Sequence, residues 1–187
     1  MTERLPPLEP HAMSEAQKRA AAELAAGPRG GVRGPFVALL RSPELLNRLQ
    51  KVGEYLRYQS ALEPRLGELA ILVVSRHWTQ QFEWRVHVPL ALKAGVEESV
   101  LKGLAEGRRP ADMKDDEALV YDFCDELFRT HGVSDATFAA AVGRLGEQGL
   151  VDLIGLVGYF ATVSMVMNVA RTPAPAGEVP LLEHLPR

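Results

Sequence analysis

The stretch "GELAILVVSRHWTQQFEWRVHVPLALKAGV", residues 67–96, decides the fold. Two apolar runs with helical spacing flank the polar segment "RHWTQ", and Gly95 is suited to end the second run as a C-cap. The "ILVV" portion alone is compatible with a strand, but its flanks are helical and no hairpin partner follows it. The stretch therefore predicts two helices that a short turn joins into an antiparallel pair.

The rest of the chain continues this helical pattern, and no segment predicts a sheet. Ser14, Ser42 and Ser134 are suited to cap helices, and Gly27 with Pro28 ends the first one. The predicted fold class is all-α, with about seven to eight helices. Outside the central pair these helices follow Ser14 and Ser42 and then occupy "EESVLKGLAEG", "DMKDDEALVYDFCDELFRTHG", "SDATFAAAVGRLGEQG" and the apolar segment that begins at Leu150.

Length and composition indicate a single domain, residues 1–187, with an N-terminal extension 1–13 and a proline-rich tail 172–187 suited to wrap over another subunit. The net charge is −3 and the charges are interspersed, so no basic surface favours nucleic acid as a partner. The first residues, "MTERLPPLEPHAM", carry acids and prolines where a signal peptide needs an apolar run. We therefore expect a cytoplasmic location.

One segment, residues 150–170, is long enough to cross a membrane. However, Asp152 and Asn168 lie within it, and small residues dilute its apolarity. These small residues recur every three positions, which lets another helix approach closely. We predict a buried helix in the core or at a subunit interface, and no membrane partner.

Polar side chains in the second helix of the central pair share one face. Gln80, Glu83 and His87 stand at i, i+3 and i+7, and an antiparallel pair would bring Glu68 of the first helix alongside them. Pro89 cannot donate its backbone hydrogen bond, so a kink just after His87 is plausible. A carboxylate–imidazole pair can move protons near neutral pH, but it can also simply satisfy two buried groups. Both interpretations stay open.

These residues carry a resemblance to a known family. The spacing of Glu68, Gln80, Glu83 and His87, with "ELAIL" before it and "AGV" after it, resembles the carboxymuconolactone decarboxylase/alkylhydroperoxidase-D (AhpD-like) superfamily. Similarity is strongest from about residue 34 to residue 100. The resemblance implies a helical, homo-oligomeric protein, with a trimer or hexamer favoured over a dimer. It also implies a site without a cofactor.

The sequence departs from the peroxidase branch of that family. Its two redox cysteines correspond to Gln80 and Glu83, which cannot attack a peroxide or form a disulfide. The lone cysteine, Cys124, lies far outside the motif and among acids that disfavour a thiolate. The resemblance is therefore to the cysteine-free, decarboxylase-like branch, and thiol peroxidase activity is not expected.

The implied chemistry is acid–base work, by decarboxylation or isomerisation, on a small unsaturated lactone or carboxylic acid. In this interpretation His87 donates the proton, Glu68 orients it, and Glu83 is a second acid or base. An anionic substrate needs a cation, and the candidates are Arg33, Arg76 and Arg85. The glycine-rich loop 27–36 borders the site or is a plain surface connector. The residues predicted to contact substrate are Gln80, Trp84, Arg85, His77 and Tyr159.

Two alternatives to an acid–base enzyme remain. One is a non-catalytic helical oligomer that binds a small molecule, which includes a peroxidase-related protein without the redox cysteines. The other is a divalent metal bound by Glu68, Glu83 and His87. A single imidazole makes the metal the weaker alternative, so no metal ligand is assigned.

Overall fold

The computed structural model describes residues 2–184, and within them the chain forms eight α-helices, one short 3-10 helix and no strand. The prediction of an all-α fold with seven to eight helices is confirmed. Met1 and residues 185–187, the outer ends of the predicted extension and tail, lie outside the described residues. The helices are α1 (Glu15–Ala26), α2 (Pro35–Leu39), α3 (Pro43–Tyr58), α4 (Pro64–His77), α5 (Gln81–Ala94), α6 (Glu98–Ala105), α7 (Asp115–Thr130) and α8 (Asp135–Ala170).

Two helices differ from the sequence prediction. Helix α2 lies in a region predicted as loop, because five residues are too short to show a helical period and its signal is only Pro35 at the first turn. Helix α8 was predicted as two helices, and it is one run interrupted at Gly146, whose φ of 71° is not helical. The glycines that suggested a boundary therefore mark a break within a single helical run.

Helix α4 forms the centre of the molecule. Every residue from Leu69 to Arg76 is buried, and α4 contacts α5, α6, α7 and α8. A helix that is apolar on nearly all sides is stable only when neighbours cover all of it. Its two ends are held differently, since Pro64 occupies the first turn and Trp78 caps the last. This central position fixes where every polar side chain of α4 points.

A second, smaller core joins the N-terminal helices. It contains buried side chains of α1, α2, the segment that links α2 to α3, and the start of α3, namely Ala20, Leu24, Phe36, Leu39, Leu40 and Leu46. Ser14 begins α1 with a capping box to Gln17, as its sequence predicted. Residues 27–34 of the glycine-rich loop connect α1 to α2, and the last two residues of the loop begin α2, so this core anchors both ends of the loop.

Helix α8 is the one helix among residues 2–184 that is long and apolar enough to span a membrane. It packs against α2, α3, α4 and α7, and 56% of its most apolar window is buried inside the protein. The buried carboxylate of Asp152 accepts hydrogen bonds from the Tyr55 hydroxyl at 3.0 Å and the Ala61 backbone N–H at 2.8 Å. The packing favours the predicted core helix.

The tail follows α5 of its own chain. Arg85 donates to the carbonyls of Val179 and Pro175, each at 2.8 Å, and Gln81 exchanges two hydrogen bonds with the Leu182 backbone. In the described part of the tail these contacts lie within one chain, and the predicted wrap over another subunit stays a prediction. Two polar side chains of α5 are consequently engaged on the face away from His87.

Candidate active site

The turn between α4 and α5 sets the start of the site helix. Gln80 is the N-cap of α5, and its side-chain carbonyl accepts from the backbone N–H groups of Phe82 at 2.5 Å and Glu83 at 3.4 Å. The Gln80 amide in turn donates to Asn168 of α8 at 3.0 Å. Thr79 reverses the chain with a φ of 48°, which is unusual for a β-branched residue. Gln80 therefore positions the helix that carries the reactive groups.

Glu68, Glu83 and His87, which we term the acid–base trio, form one connected unit. Nδ1 of His87 lies 2.6 Å from Oε2 of Glu68, and Nε2 lies 3.1 Å from Oε2 of Glu83. The imidazole is 1% exposed and Phe160 packs edge-on against it, with ring centroids 5.2 Å apart. The predicted convergence of these three side chains is confirmed, while their catalytic roles stay a prediction.

The environment of His87 favours its charged form. Burial opposes the imidazolium charge, but hydrogen bonds to Glu68 and Glu83 outweigh burial and raise the pKa above its ordinary value. Each carboxylate occupies a different ring nitrogen, so a proton on either nitrogen has an acceptor. The trio can therefore hold a proton inside the protein near neutral pH and pass it along a short hydrogen-bonded path.

The trio lies at a small cavity of about 260 Å³ beneath the glycine-rich loop. Glu83 and His87 line this His87 cavity, and Glu68 lies behind His87, outside the lining. The remaining lining comes from loop 27–36, α3, α5 and α8. Of the two interpretations of the loop, the structure supports the one in which it borders the site.

Three arginines reach the His87 cavity. Arg29 and Arg33 come from the glycine-rich loop and Arg57 from α3. Arg29 donates to the Tyr159 hydroxyl at 3.4 Å and stacks over Phe36 at 4.6 Å. Among residues 2–184 no carboxylate lies within 4.0 Å of any of the three guanidinium groups.

The predicted substrate-contacting residues divide between three places. Tyr159 lines the His87 cavity, and burial raises the pKa of its phenol, which keeps the hydroxyl a neutral donor. Gln80 and His77 line a second, larger pocket of about 890 Å³ on the other side of the turn, and His77 stacks on Phe128 there at 4.0 Å. Trp84 is packed into the core and Arg85 holds the tail, so neither lines either pocket.

Of the predicted cations, only Arg33 lines the His87 cavity. Arg76 is buried and donates to the carbonyls of Ala105 and Glu183 at 3.3 and 2.8 Å. Sequence reasoning missed Arg29 and Arg57 as site residues. The glycine-rich context of Arg29 was a usable signal, but Arg57 has only an ordinary amphipathic helix around it, and no local pattern identifies it.

The trio is poorly arranged for a metal ion. Glu68 and Glu83 bind opposite edges of the imidazole, so they cannot converge on one ion together with a ring nitrogen. Within the part of the chain that the structure describes, no cluster of three or more metal-binding side chains occurs. The donor set therefore does not fit the metal alternative.

The single thiol is remote from this chemistry. Cys124 is fully buried on α7, and burial raises its pKa to about 12, with Asp125 adding to the effect. A neutral, inaccessible thiol does not attack peroxides.

Comparisons with known proteins agree with this architecture. Residues 43–113, which contain the whole trio, match the Carboxymuconolactone decarboxylase family model. A solved structure from Ralstonia eutropha JMP134, described as an alkylhydroperoxidase AhpD core and an uncharacterized peroxidase-related protein, superposes with a TM-score of 0.75. It is 16% identical and the match covers 92% of each chain, which shows a shared fold. No curated protein matches the sequence. The predicted resemblance to the AhpD-like superfamily is confirmed.

Proposed function

We propose that this chain, with its AhpD-like fold and its match to the carboxymuconolactone decarboxylase family, is a cofactor-free acid–base enzyme. Its substrate would be a small unsaturated lactone acid or carboxylic acid, and its reaction decarboxylation or isomerisation. The observation that carries the proposal is the buried His87 between two carboxylates at the edge of an arginine-lined cavity. A proton held in such a place is protected from bulk water and close to a bound ligand.

In the decarboxylation, the bond between the substrate carbon and its carboxylate breaks and CO2 leaves. The electron pair stays on the unsaturated acid as a dienolate, and a proton from the trio then bonds to carbon. Glu83 and His87 both line the cavity, so they are the groups that deliver this proton. Glu68 does not reach the cavity, and its role is to position His87 and support the imidazolium. Solvent returns one proton to the trio in each cycle.

The charge of the cavity suits this chemistry. Two carboxylates beside an anionic substrate would be repulsive, but an imidazolium and three arginines outweigh them. The arginines also stabilise the negative charge that develops on the dienolate oxygen. Cys124 takes no part, so the proposal does not include thiol peroxidase chemistry.

The test compares the parent protein with His87→Gln on a panel of unsaturated lactone acids. Product would be followed by CO2 release and by deuterium incorporation at carbon in D2O. Replacement of the exposed His11 by Gln is the matched control. We expect turnover by the parent and by His11→Gln, and a loss of roughly 10²-fold or more in His87→Gln. Equal, background-level turnover by all three proteins would refute the enzymatic proposal and favour the non-catalytic binding protein.

We also propose that the protein is a homo-oligomer, with a trimer or hexamer favoured. Support comes from α8, where apolar side chains stay exposed on one face, with Val151 at 65% and Val169 at 64%. Ile154 and Met165 lie on the same face at helical spacing. Light scattering after size-exclusion chromatography would give the mass, and a monomer at micromolar concentration would refute this proposal.

A further inference from the structure

Arg29, Arg33 and Arg57, which we term the arginine cluster, are available for an outside ligand. Other buried or half-buried arginines use their terminal nitrogens internally. Arg65 pairs with Asp116 and Glu117 at 2.7 Å each, and Arg76, whose Nε is also without a partner, donates through its terminal nitrogens to the Ala105 and Glu183 carbonyls. The cluster instead has no carboxylate partner among residues 2–184. The Nε atoms of Arg29 and Arg57 are buried and have no hydrogen-bond partner at all. Buried donors of this kind are costly unless a ligand accepts from them.

A glycine on α3 leaves space for Arg29 of this cluster. A Cβ atom on Gly53 of α3 would lie 2.3 Å from the Tyr159 hydroxyl and 2.6 Å from a terminal nitrogen of Arg29. Without a side chain at this position, the tyrosine and the guanidinium meet at the cavity and hydrogen-bond to each other. At the far end of the loop, Gly34 has a φ of 55°, and a Cβ there would lie 2.6 Å from the ring of Phe82, which lines the same cavity.

From this geometry we infer that the arginine cluster is a carboxylate-binding site, and that the ligand of the His87 cavity is a small carboxylate anchored by Arg29 and Arg57. The inference rests on the proposed function for the identity of the reaction, but the binding site stands on its own contacts. The planar fork of a guanidinium matches the two oxygens of a carboxylate. A cavity of about 260 Å³ lies below the size typical for drug-sized ligands, so it suits a compact acid.

Tyr159 is the neutral donor of this site. Burial raises the pKa of its phenol, while the nearby Arg29 works in the opposite direction. An uncharged hydroxyl can donate to a carboxylate or lactone oxygen without adding negative charge. The cluster and Tyr159 therefore bind the anion, and the trio, which shares the same cavity, supplies the proton.

Binding is tested by titration calorimetry with acrylate, fumarate and 2-furoate as probes, beside fumaramide and inorganic phosphate. We expect at least one carboxylate to bind, and fumaramide not to bind, because it has the shape of fumarate without its charge. Arg29→Gln and Arg57→Gln should weaken carboxylate binding about tenfold or more. Arg48→Gln is the matched control, since Arg48 lies on α3 with Arg57 but is 77% exposed and paired with Glu44.

Each outcome decides the inference. Equal affinity of the cluster variants and the parent, tight binding of fumaramide, or no binding by any carboxylate would overturn it. Phosphate binding more tightly than every carboxylate would overturn the assignment to carboxylates. His87→Gln separates this inference from the proposed function, because it should lower turnover by roughly 10²-fold or more and still bind the carboxylate. Arginine-dependent binding without turnover on any substrate would refute the enzyme and leave the carboxylate site intact.

Discussion

Nδ1 of His87 lies 2.6 Å from Oε2 of Glu68, although the two residues are nineteen positions apart and belong to different helices. The contact ties α4 to α5 through one charge-assisted hydrogen bond and fixes the ring so that Nε2 meets Glu83. The orientation and proton affinity of the imidazole are therefore set in part by Glu68, a residue outside the cavity, together with Glu83 inside it.

Glu68→Gln tests this positioning role. The amide keeps the shape of the carboxylate but cannot support the imidazolium, so we expect kcat to fall roughly 10²-fold with little change in KM. Steady-state kinetics on an active substrate would measure the split. Glu147→Gln, at an exposed position of α8, is the control and should leave both constants unchanged. A rise in KM with an unchanged kcat would show that Glu68 acts in binding.

The raised pKa of His87 makes stability depend on pH. A group whose pKa is higher in the folded than in the unfolded protein stabilises the fold fully below its unfolded pKa, about 6.5. This stabilisation is lost as pH rises through the folded value. We therefore expect the stability advantage of the parent over His87→Gln to be largest near pH 6 and to shrink toward pH 9. Urea unfolding across this range measures it, and an advantage that grows with pH would contradict the prediction.

Gly53→Ala should disturb the site and the fold together. The added methyl group would overlap Tyr159 and Arg29, so we expect a loss of about 1–3 kcal/mol in unfolding free energy and weaker carboxylate binding. Gly143→Ala is the matched control, because that helical glycine of α8 has open space around its Cβ position. The control should gain roughly 0.5–1 kcal/mol. Equal effects of the two substitutions would show that helix propensity alone is responsible.

Asp116 gives the protein a second pH dependence. The hydrogen bond from Arg65 outweighs burial and lowers the pKa of this carboxyl from 3.8 to about 2, with Arg144 contributing as well. A lowered pKa stabilises the fold above the unfolded value and loses that contribution as pH falls toward the folded one. Asp116→Asn should therefore cost stability at pH 7, and the difference from the parent should shrink below about pH 4.

Thermal unfolding between pH 7 and pH 3 would follow that difference. Asp122→Asn is the control, since its ion pair with Arg109 is about half exposed and should contribute little. If the stability difference between the parent and Asp116→Asn stayed constant down to pH 3, the effect of the substitution would not come from the charge of Asp116.

The thiol of Cys124 should be unreactive in the folded protein. Burial raises its pKa to about 12, so we expect no reaction with an aromatic disulfide reagent until urea unfolds the chain. Cys124→Ala should keep full activity on any acid substrate, and the parent should not turn over hydrogen peroxide with a dithiol reductant. Peroxide turnover that disappears in Cys124→Ala would contradict both expectations.

Local patterns predicted most of the helices and the meeting of Glu68, Glu83 and His87. Both predictions succeeded because helical spacing and a tight turn depend on residues that are close together in the sequence. The arginine cluster is different. Arg57 reaches the cavity only because α3 packs beside α8, and Arg85 turns to the tail because carbonyls lie there. Such long-range placements leave no periodic signal in the sequence.

The sequence pattern predicts the position of the break in α8, which lies at Gly146, only approximately. A run of glycines in "GRLGEQG" indicates an interruption, but it does not tell which glycine takes the positive φ or whether the helix resumes along the same axis.

Trp84 shows the same limit of prediction from local sequence. Its neighbour Glu83 faces the cavity, while the tryptophan one position later lies in the core.

The chain order of the site has a consequence for biosynthesis. Glu68, Glu83 and His87 lie within twenty consecutive residues, but α4 is apolar on nearly all sides and needs α7 and α8 to cover it. The cavity around them needs Tyr159 from the last helix, and Arg29 is held in place by that tyrosine. Both the trio and its cavity therefore depend on α8, so the site is completed only when one of the last segments to be synthesised packs against α4.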